Sequence, residues 1–401
     1  MHPRPTVLFI ADAVTLAHAA RPCALARKLD RTRFSAVLAC DQRYRKLLSG
    51  LDFPVIPLAS IASERFLAAA ASGRPLYDAA TLRAYVRDDL DLLNSVRPNV
   101  VVGDHRLSLS VSARIARVPY LNIINAYWSP YAVGHALPVP DLPVSRWLGA
   151  RLAEPLFGIA WPLASAWHCR PLNRVRAEHG LPSLGHDWFR AYTDADHTLY
   201  ADASELVPTL DRPANHTYLG PIQWSPDVAL PQAWDSLPTD RPLIYATMGS
   251  SGDARLLQMV FDALADLPIT LIVTTAGKAL NFPPPENACI IDYAPGHLLA
   301  ERADLMICNG GSLSVYQSLI AGKPLIGIAS HMDQHLSMVY VERAGVGRRL
   351  RSDALSVKAL RQTVEQLLID PELRRQAIAM AKALAGYQPA THLGEILAAF
   401  C

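Results

Sequence analysis

The chain has 401 residues, 51% of them apolar and 18% charged, and its formal net charge is +2. One hydrophobic core rarely serves so long a chain, so two domains are expected. A near-neutral balance with no Lys/Arg block argues against a nucleic-acid partner, and no uninterrupted apolar run reaches the ~18 residues of a membrane span.

The six cysteines, Cys23, Cys40, Cys169, Cys289, Cys308 and Cys401, are scattered, with neither a Cys-x-x-Cys nor a metal-like spacing. They read as reduced thiols of a cytoplasmic protein. Met1 to Pro5 is polar, and the apolar run after it has the length of a strand and no cleavage signal, so no secretory leader is expected.

Thr6 to Ala11 (TVLFIA) reads as a buried strand and Asp12 to Leu16 as a loop. A helix follows, with Leu25 and Leu29 one turn apart on its apolar side, and Phe34 to Cys40 gives a second strand. This opening has no Gly-x-Gly-x-x-Gly and so carries no dinucleotide fingerprint. His18 stands at the helix start, beyond the carboxyl end of the first strand. Its imidazole, with a free pKa of ~6.5, changes charge near neutral pH and marks His18 as a candidate functional group. A bland structural histidine is the competing reading, since the chain has 13 of them.

A helix from about Ala79 ends at Arg97-Pro98. Val100 to Val102 forms the next buried strand, and Asp104 falls at its carboxyl end. Asp104 is either a functional carboxylate at a strand end or the cap of a helix through Ser108 to Arg117, and His105 and Arg106 are its rivals. Pro119 to Ile124 is a further strand. Residues 125–164 are rich in Trp, Tyr, Pro and small apolar side chains. There Trp147, Leu148, Leu152, Leu156, Phe157 and Trp161 fit a core helix between Pro-rich loops, or an interfacial helix that meets lipid. Arg170 to Leu181 is expected as a helix closed by Gly180, and His197 to Asp202 as the last strand of the first half.

Residues 214–239 hold many prolines and few periodic apolar positions, as a linker does. Arg241 to Thr247 reopens a buried strand that ends in the turn Gly249-Ser250. Thr270 to Thr275 and Cys289 to Asp292 are further strands, the latter leading into Tyr293-Ala294-Pro295-Gly296. Leu305 to Cys308 precedes Asn309-Gly310-Gly311-Ser312, where a helix starts with Leu313, Tyr316 and Ile320 on one face. Gly322 closes it, Pro324 blocks its continuation, and Leu325 to Ile328 is the next strand. A helix N-terminus at a strand's carboxyl end, beside glycines that admit close backbone approach, is a ready site for a diphosphate. Asp333-Gln334 follows at the next strand end.

These segments resemble the family 1, UDP-glycosyltransferase-like glycosyltransferases. That family's donor signature is His-Gly-Gly-x-Gly-Thr-x-x-Glu, then Gly-x-Pro, then Asp-Gln. Here it reads Asn309-Gly310-Gly311-Ser312-Leu313-Ser314-Val315-Tyr316-Gln317, then Gly322-Lys323-Pro324, then Asp333-Gln334. Asn309 replaces a histidine, Leu313 the third glycine and Gln317 a glutamate. Leu16-Ala17-His18 through Ala26 is similar to the family's first loop, Gly249-Ser250 to its Phe-Gly-Ser, and Tyr293 to Gly296 to its Trp-x-Pro-Gln, with the glutamine lost.

The resemblance implies an α/β protein of the GT-B fold: two facing Rossmann-like domains with doubly wound parallel sheets and a cleft between them. It implies an acceptor-binding domain at 1–213, a linker at 214–239, a donor-binding domain at 240–385 and a last helix at 386–401 crossing back to the first domain. His18 would be the base toward the acceptor hydroxyl, oriented by Asp104. Gly249, Ser250, Asn309, Gly310, Gly311 and Ser312 would hold the diphosphate, Tyr293 and Ala294 the base, Gln317 the ribose, and Asp333 and Gln334 the sugar. Tyr127, Trp128, Tyr131 and His135 would shape the acceptor pocket. The expected activity is inverting, metal-independent transfer from a UDP- or dTDP-sugar, a co-substrate rather than a cofactor, to a small or lipophilic acceptor, with peripheral membrane contact as a further partner. The alternatives are a sugar-nucleotide 2-epimerase of the same fold and a non-catalytic nucleotide-sugar-binding partner protein.

Overall fold

The structure is a computed structural model and describes residues 4–46, 48, 50–134, 137–230, 234–253 and 255–401. The chain divides into two compact units. The first comprises Met1–His135, Pro155–Trp224 and Tyr387–Cys401; the second comprises Ala136–Glu154 and Ser225–Gly386.

The first unit is built on β1 (Thr6–Ala11), β2 (Ser35–Cys40), β3 (Val55–Pro57), β4 (Val100–Asp104), β5 (Tyr120–Ile124), β6 (His197–Tyr200) and β7 (His216–Tyr218). Among the described residues these form a parallel sheet in the order β3-β2-β1-β4-β5-β6-β7. Val7 to Ala11 and Val100 to Val102 are fully buried, as apolar runs covered on both faces must be. Strand order reverses between β1 and β4, where Ala11 pairs with Asp104. The carboxyl ends of such a pair are where open α/β sheets bind ligands. The Leu16–Lys28 helix covers the core through Ala19, Cys23 and Ala26, and Leu393 and Leu397 of the Pro389–Leu397 helix join the same cluster.

The second unit carries β8 (Leu243–Thr247), β9 (Thr270–Thr274), β10 (Ala288–Ile291), β11 (Leu305–Cys308), β12 (Leu325–Ala329) and β13 (Gly347–Arg351). They make a second parallel sheet in the order β10-β9-β8-β11-β12-β13. The switch here lies between β8 and β11, which pair from Leu305 with Ile244 to Cys308 with Thr247. The doubly wound reading of the sequence is thus borne out in both halves.

Several elements differ from expectation, among them β7, which falls in the stretch read as linker, and two whose cause is plain. Residues 150–178 form one helix of 29 residues through Pro155, Pro162 and Pro171, where a core or interfacial helix around Trp147 to Trp161, Pro-rich loops and a separate helix from Arg170 were expected. Each proline removes one hydrogen-bond donor, yet Pro155 and Pro162 lie exposed, where water can satisfy the freed carbonyls. β3 was not anticipated: three half-exposed residues ending in a proline give no periodic signal, and β3 is an edge strand.

Candidate active site

His18 lies in the first turn of the Leu16–Lys28 helix, directly after the β1 loop. Its Nδ1 is 2.8 Å from Asp104 Oδ1, and Asp104 is fully buried. Arg21, one turn further along the helix, grips the same carboxylate with a fork: Nε donates to Oδ2 and Nη2 to Oδ1, both at 2.7 Å. The third arm of Arg21 donates from Nη1 to Asn125 Oδ1 at 2.7 Å. Burial alone would raise the Asp104 pKa. The Arg21 charge and the hydrogen bonds from His18 and Arg21 outweigh it and hold the carboxyl below its ordinary value. An ionised Asp104 can only accept, which makes Nδ1–H of His18 its donor; Arg21 Nη2 also stands 3.1 Å from that nitrogen.

The rivals of Asp104 are separated by this geometry. Asp104 does not cap the following helix, whose N-cap Ser108 has no side-chain cap bond. Arg106 turns away, fully buried, and donates to Asp89 Oδ1 at 3.0 Å and Ala59 O at 3.0 Å, with its guanidinium 3.5 Å from the centre of the Tyr85 ring. His105 stays close. It has a φ of +58°, and its ring lies 4.4 Å from that of His18. Its Nδ1 is 3.1 Å from Tyr77 Oη, which donates to Asp12 Oδ2 at 2.5 Å. Burial, with the neighbouring His18 and Arg21 charges added, keeps His105 well below the usual imidazole range, against the opposing pull of Asp104.

The aromatic residues divide. Tyr127 and Trp128 sit in a short 3-10 turn and are 2% and 9% exposed. Trp128 packs on Trp188, Phe189 and Tyr192 at 5.3, 5.7 and 5.4 Å, and Tyr192 reaches His105 at 5.7 Å, so a chain of rings runs from Trp128 to His18. A small pocket opens among Tyr77, Leu107, His168, Leu172, Trp188 and Tyr192. Tyr131 lies edge-on to His216 at 5.3 Å. His135 is outside the described residues. Two Asp-x-Asp triplets, at Asp89 and at Asp194, escaped sequence inspection. Asp89 binds Arg106, Ser108 and Ser112, Asp194 binds Arg114 and Arg176, and Asp196 accepts from Tyr120 N.

In the second unit the turns after β8 and β11 lie side by side. Asn309 Nδ2 donates to Ser251 Oγ at 3.0 Å, and Asn309 Oδ1 accepts from Gly311 N at 3.1 Å. Gly249 and Gly310 have φ of +58° and +79°, and a Cβ on Gly310 would stand 2.7 Å from Met338 Cγ. Gly311 is the N-cap of the Ser312–Ile320 helix and offers no capping side chain, so the amides of the first turn are left for another acceptor. Lys278, which sequence reasoning missed, donates from Nζ to Gly252 O in the loop after β8. Burial lowers its pKa, against Asp253. It sets a cation on the loop after β8, the loop whose Ser251 accepts from Asn309.

Tyr293 is half-buried and anchored by its hydroxyl to Ala276 O at 2.9 Å, with Ala294 buried next to it. Gln317 is 8% exposed, with Nε2 3.5 Å from Ser225 Oγ, and lies over Gly296. Asp333 is half-exposed in the first turn of the Met332–Arg343 helix. Gln334 is fully buried. Its Oε1 accepts from Ser330 N at 2.9 Å and Ser330 Oγ at 3.0 Å, and its Nε2 has no protein partner among the described residues.

The stretch after residue 136 belongs to this unit, fastened by Asp141, another residue the sequence did not single out. Asp141 N donates to Ser330 O at 2.8 Å. Its carboxylate accepts from His335 Nε2 and Arg351 Nη2, both at 3.0 Å, from Ser352 Oγ at 2.5 Å and from Asp353 N at 2.9 Å.

Comparison with known proteins bears on the family and the fold. Residues 258–398 match the model of the erythromycin biosynthesis protein CIII-like C-terminal domain. The chain is 51% identical over 380 residues to a PGL/p-HBAD biosynthesis glycosyltransferase of Mycobacterium tuberculosis, covering 95% of this chain and 89% of that one. It is 50% identical, again over 380 residues, to a PGL/p-HBAD biosynthesis rhamnosyltransferase of Mycobacterium bovis, covering 95% and 84%. Its fold resembles that of the glycosyltransferase SsfS6 of Streptomyces sp. SF2575, solved complexed with thymidine diphosphate, with a TM-score of 0.70 at 15% identity over 99% of this chain and 100% of that one. Identity of about one half along nearly the whole length places the chain in the family 1 glycosyltransferases of GT-B fold, and it is a glycosyltransferase.

Proposed function

We propose that this glycosyltransferase inverts the anomeric centre as it moves a sugar from a UDP- or dTDP-sugar to a hydroxyl of a small or lipophilic acceptor, with His18 as the general base. The observation that carries the reading is the 2.8 Å contact of His18 Nδ1 with the buried, Arg21-bound Asp104. A carboxylate in that position fixes the tautomer with Nε2 unprotonated and stabilises the imidazolium that forms. Nε2 takes the acceptor proton as the acceptor oxygen bonds to C1. The bond from C1 to the phosphate oxygen breaks, and the nucleoside diphosphate leaves with the electron pair. An α-linked donor then gives a β product, and a β-linked donor an α product. A base of this kind contributes ~10²–10⁴-fold.

The leaving charge would be met by the first-turn amides of the Ser312–Ile320 helix, the Gly249-Ser250 turn and the Lys278 ammonium, fixed dipoles and charge acting where anion develops. Asp333 and the Nε2 of Gln334, unpartnered among the described residues, would take sugar hydroxyls. Tyr293 would stack on the base, which holds any base without choosing one, and Gln317 would bond the ribose. The aromatic run from Trp128 through Tyr192 would receive an apolar acceptor. A rhamnosyltransferase among the relatives and thymidine diphosphate in a structural neighbour support a dTDP-sugar and an acceptor of the PGL/p-HBAD kind.

The test is turnover of labelled dTDP- and UDP-sugars against a panel of hydroxylated lipophilic acceptors, comparing wild type with His18→Ala and reading the product's anomeric configuration by NMR. Transfer by the alanine variant at the wild-type rate removes His18 from the mechanism, and retained configuration removes inversion.

A further inference from the structure

The Ala150–Glu178 helix has two contrasting faces. Its inner face is occupied. Trp161 packs on Phe157, Trp188 and Phe189 at 5.7, 5.9 and 5.4 Å, Ser165 donates to His186 O at 2.7 Å, and Cys169, Leu172 and Val175 are buried. The outer face carries Leu156, Ile159, Leu163 and Trp167, which are 51%, 78%, 79% and 44% exposed. Steps of three and four put these side chains in one stripe, which runs about 16 Å at 1.5 Å per residue. Arg170 and Arg174 continue the same stripe, and both are exposed. Single exposed apolar side chains are ordinary, but three aliphatics and a Trp in a row on one helix face mark a contact surface.

We propose that this stripe seats the protein on an anionic lipid surface. The order along the helix is the argument: aliphatic, then Trp, then Arg. Aliphatic side chains enter the acyl boundary, an indole prefers the interface, and guanidinium groups reach phosphate headgroups. Residues 155–177 contain no Asp or Glu. The first acidic residue is Glu178, 3.5 Å from Arg174 and also bound to Arg83 at 2.7 Å. The stripe therefore complements an anionic plane. A second copy packed antiparallel about Leu163 would set Leu156 and Leu152, not anions, against Arg170 and Arg174. Among the described residues no helix is long and apolar enough to cross a membrane, so contact by this face is interfacial. The inference goes beyond the transfer reaction and does not depend on it.

The experiment is co-sedimentation of the full chain with phosphatidylcholine vesicles, with and without phosphatidylglycerol, alongside light scattering of the lipid-free protein. Wild type partitions onto the phosphatidylglycerol vesicles, and less so as salt rises. The double variant Ile159→Ser/Leu163→Ser loses about tenfold in partition per side chain. Arg170→Gln/Arg174→Gln loses roughly fivefold per charge on anionic vesicles and little on neutral ones. Both variants keep the wild-type melting temperature, because the altered side chains stand in solvent. Absence of wild-type binding to either vesicle overturns the proposal, as does equal binding by the Ile159→Ser/Leu163→Ser variant. A lipid-free dimer abolished by that variant overturns it too, in favour of a second copy as the occupant.

Discussion

A Cβ built on Gly296 would lie 2.8 Å from Gln317 Oε1, so the glycine and the amide share one space. In the family pattern these positions hold a glutamine and a glutamate. Here both depart, and they depart against each other: a longer side chain at 296 needs the volume that Gln317 fills. Gly296→Ala should therefore push the amide aside and raise KM for the nucleotide sugar about fivefold, with kcat little changed. In the Gln317→Ala background the same substitution should cost almost nothing. A double-mutant cycle on donor affinity reads this coupling, since residues in contact are non-additive by ~0.5–3 kcal/mol. Additive effects would mean that the two positions act separately.

Arg21 and His18 address one carboxylate, and replacing Asp104 or Arg21 should have its own signature. Asp104→Asn keeps the side-chain volume but ends the control of the His18 tautomer and leaves the buried Arg21 charge uncompensated, so kcat should fall by ~10³–10⁴ and stability should fall too, with nucleotide affinity unchanged. Arg21→Met instead strips the charge that holds Asp104 ionised in a buried site, and such a loss costs about 3–5 kcal/mol of stability. The sign with pH follows. The depressed Asp104 pKa contributes stability above the ordinary carboxylate value that is lost as pH falls through the lower folded value. In Arg21→Met the carboxyl rises, so acid unfolding should begin at higher pH, as circular dichroism against pH will read.

Lys278 should matter for the diphosphate and not for the nucleoside. Its Nζ already donates to Gly252 O, and an ammonium has two further donors to give a phosphate beside that loop. Lys278→Met should weaken UDP or dTDP binding by at least about tenfold, the value of one charge-assisted hydrogen bond, and leave uridine or thymidine binding alone. Lys278→Arg should recover part of the loss. Calorimetry with diphosphate and nucleoside separates this from simple damage to the loop, which would lower both.

The sheets were legible because fully buried parallel strands read as unbroken apolar runs, as TVLFIA at Thr6 does and as LMIC at Leu305 does. His18 and Asp104 were legible because β1 and β4 pair at the switch point, which brings two strand ends together whatever lies between them in sequence. Arg21 was within reach as well: three residues after His18, it had to share that face of the helix. Lys278 and Asp141 were not. Each acts through a backbone or ionic contact across tens of residues that no local period records. The long helix from Ala150 was hidden by its own prolines, whose cost falls with exposure, and exposure is a tertiary fact.

The last prediction concerns acid stability. His168 stacks on Trp188 at 3.9 Å, its Nε2 is 3.2 Å from Gly73 O, and burial pushes its pKa down to about 4. His216 is likewise pushed down to about 4, burial again being the main cause, with Tyr200 Oη 2.6 Å from its Nδ1. Both are neutral in the folded chain at pH 5, whereas an unfolded histidine, with a pKa of ~6.5, is charged. Their contribution is therefore complete above the unfolded value and is lost as pH falls toward 4, with the unfolded state binding the protons. Each such group should account for about 1–2 kcal/mol of the fall between pH 7.5 and 5. His168→Phe keeps the ring contact with Trp188 and removes the titration. Urea midpoints at the two pH values should then drop less in the variant than in the wild type, even if both of its midpoints are lower. An equal drop would place the acid sensitivity elsewhere, with the buried carboxylates as the next groups to replace.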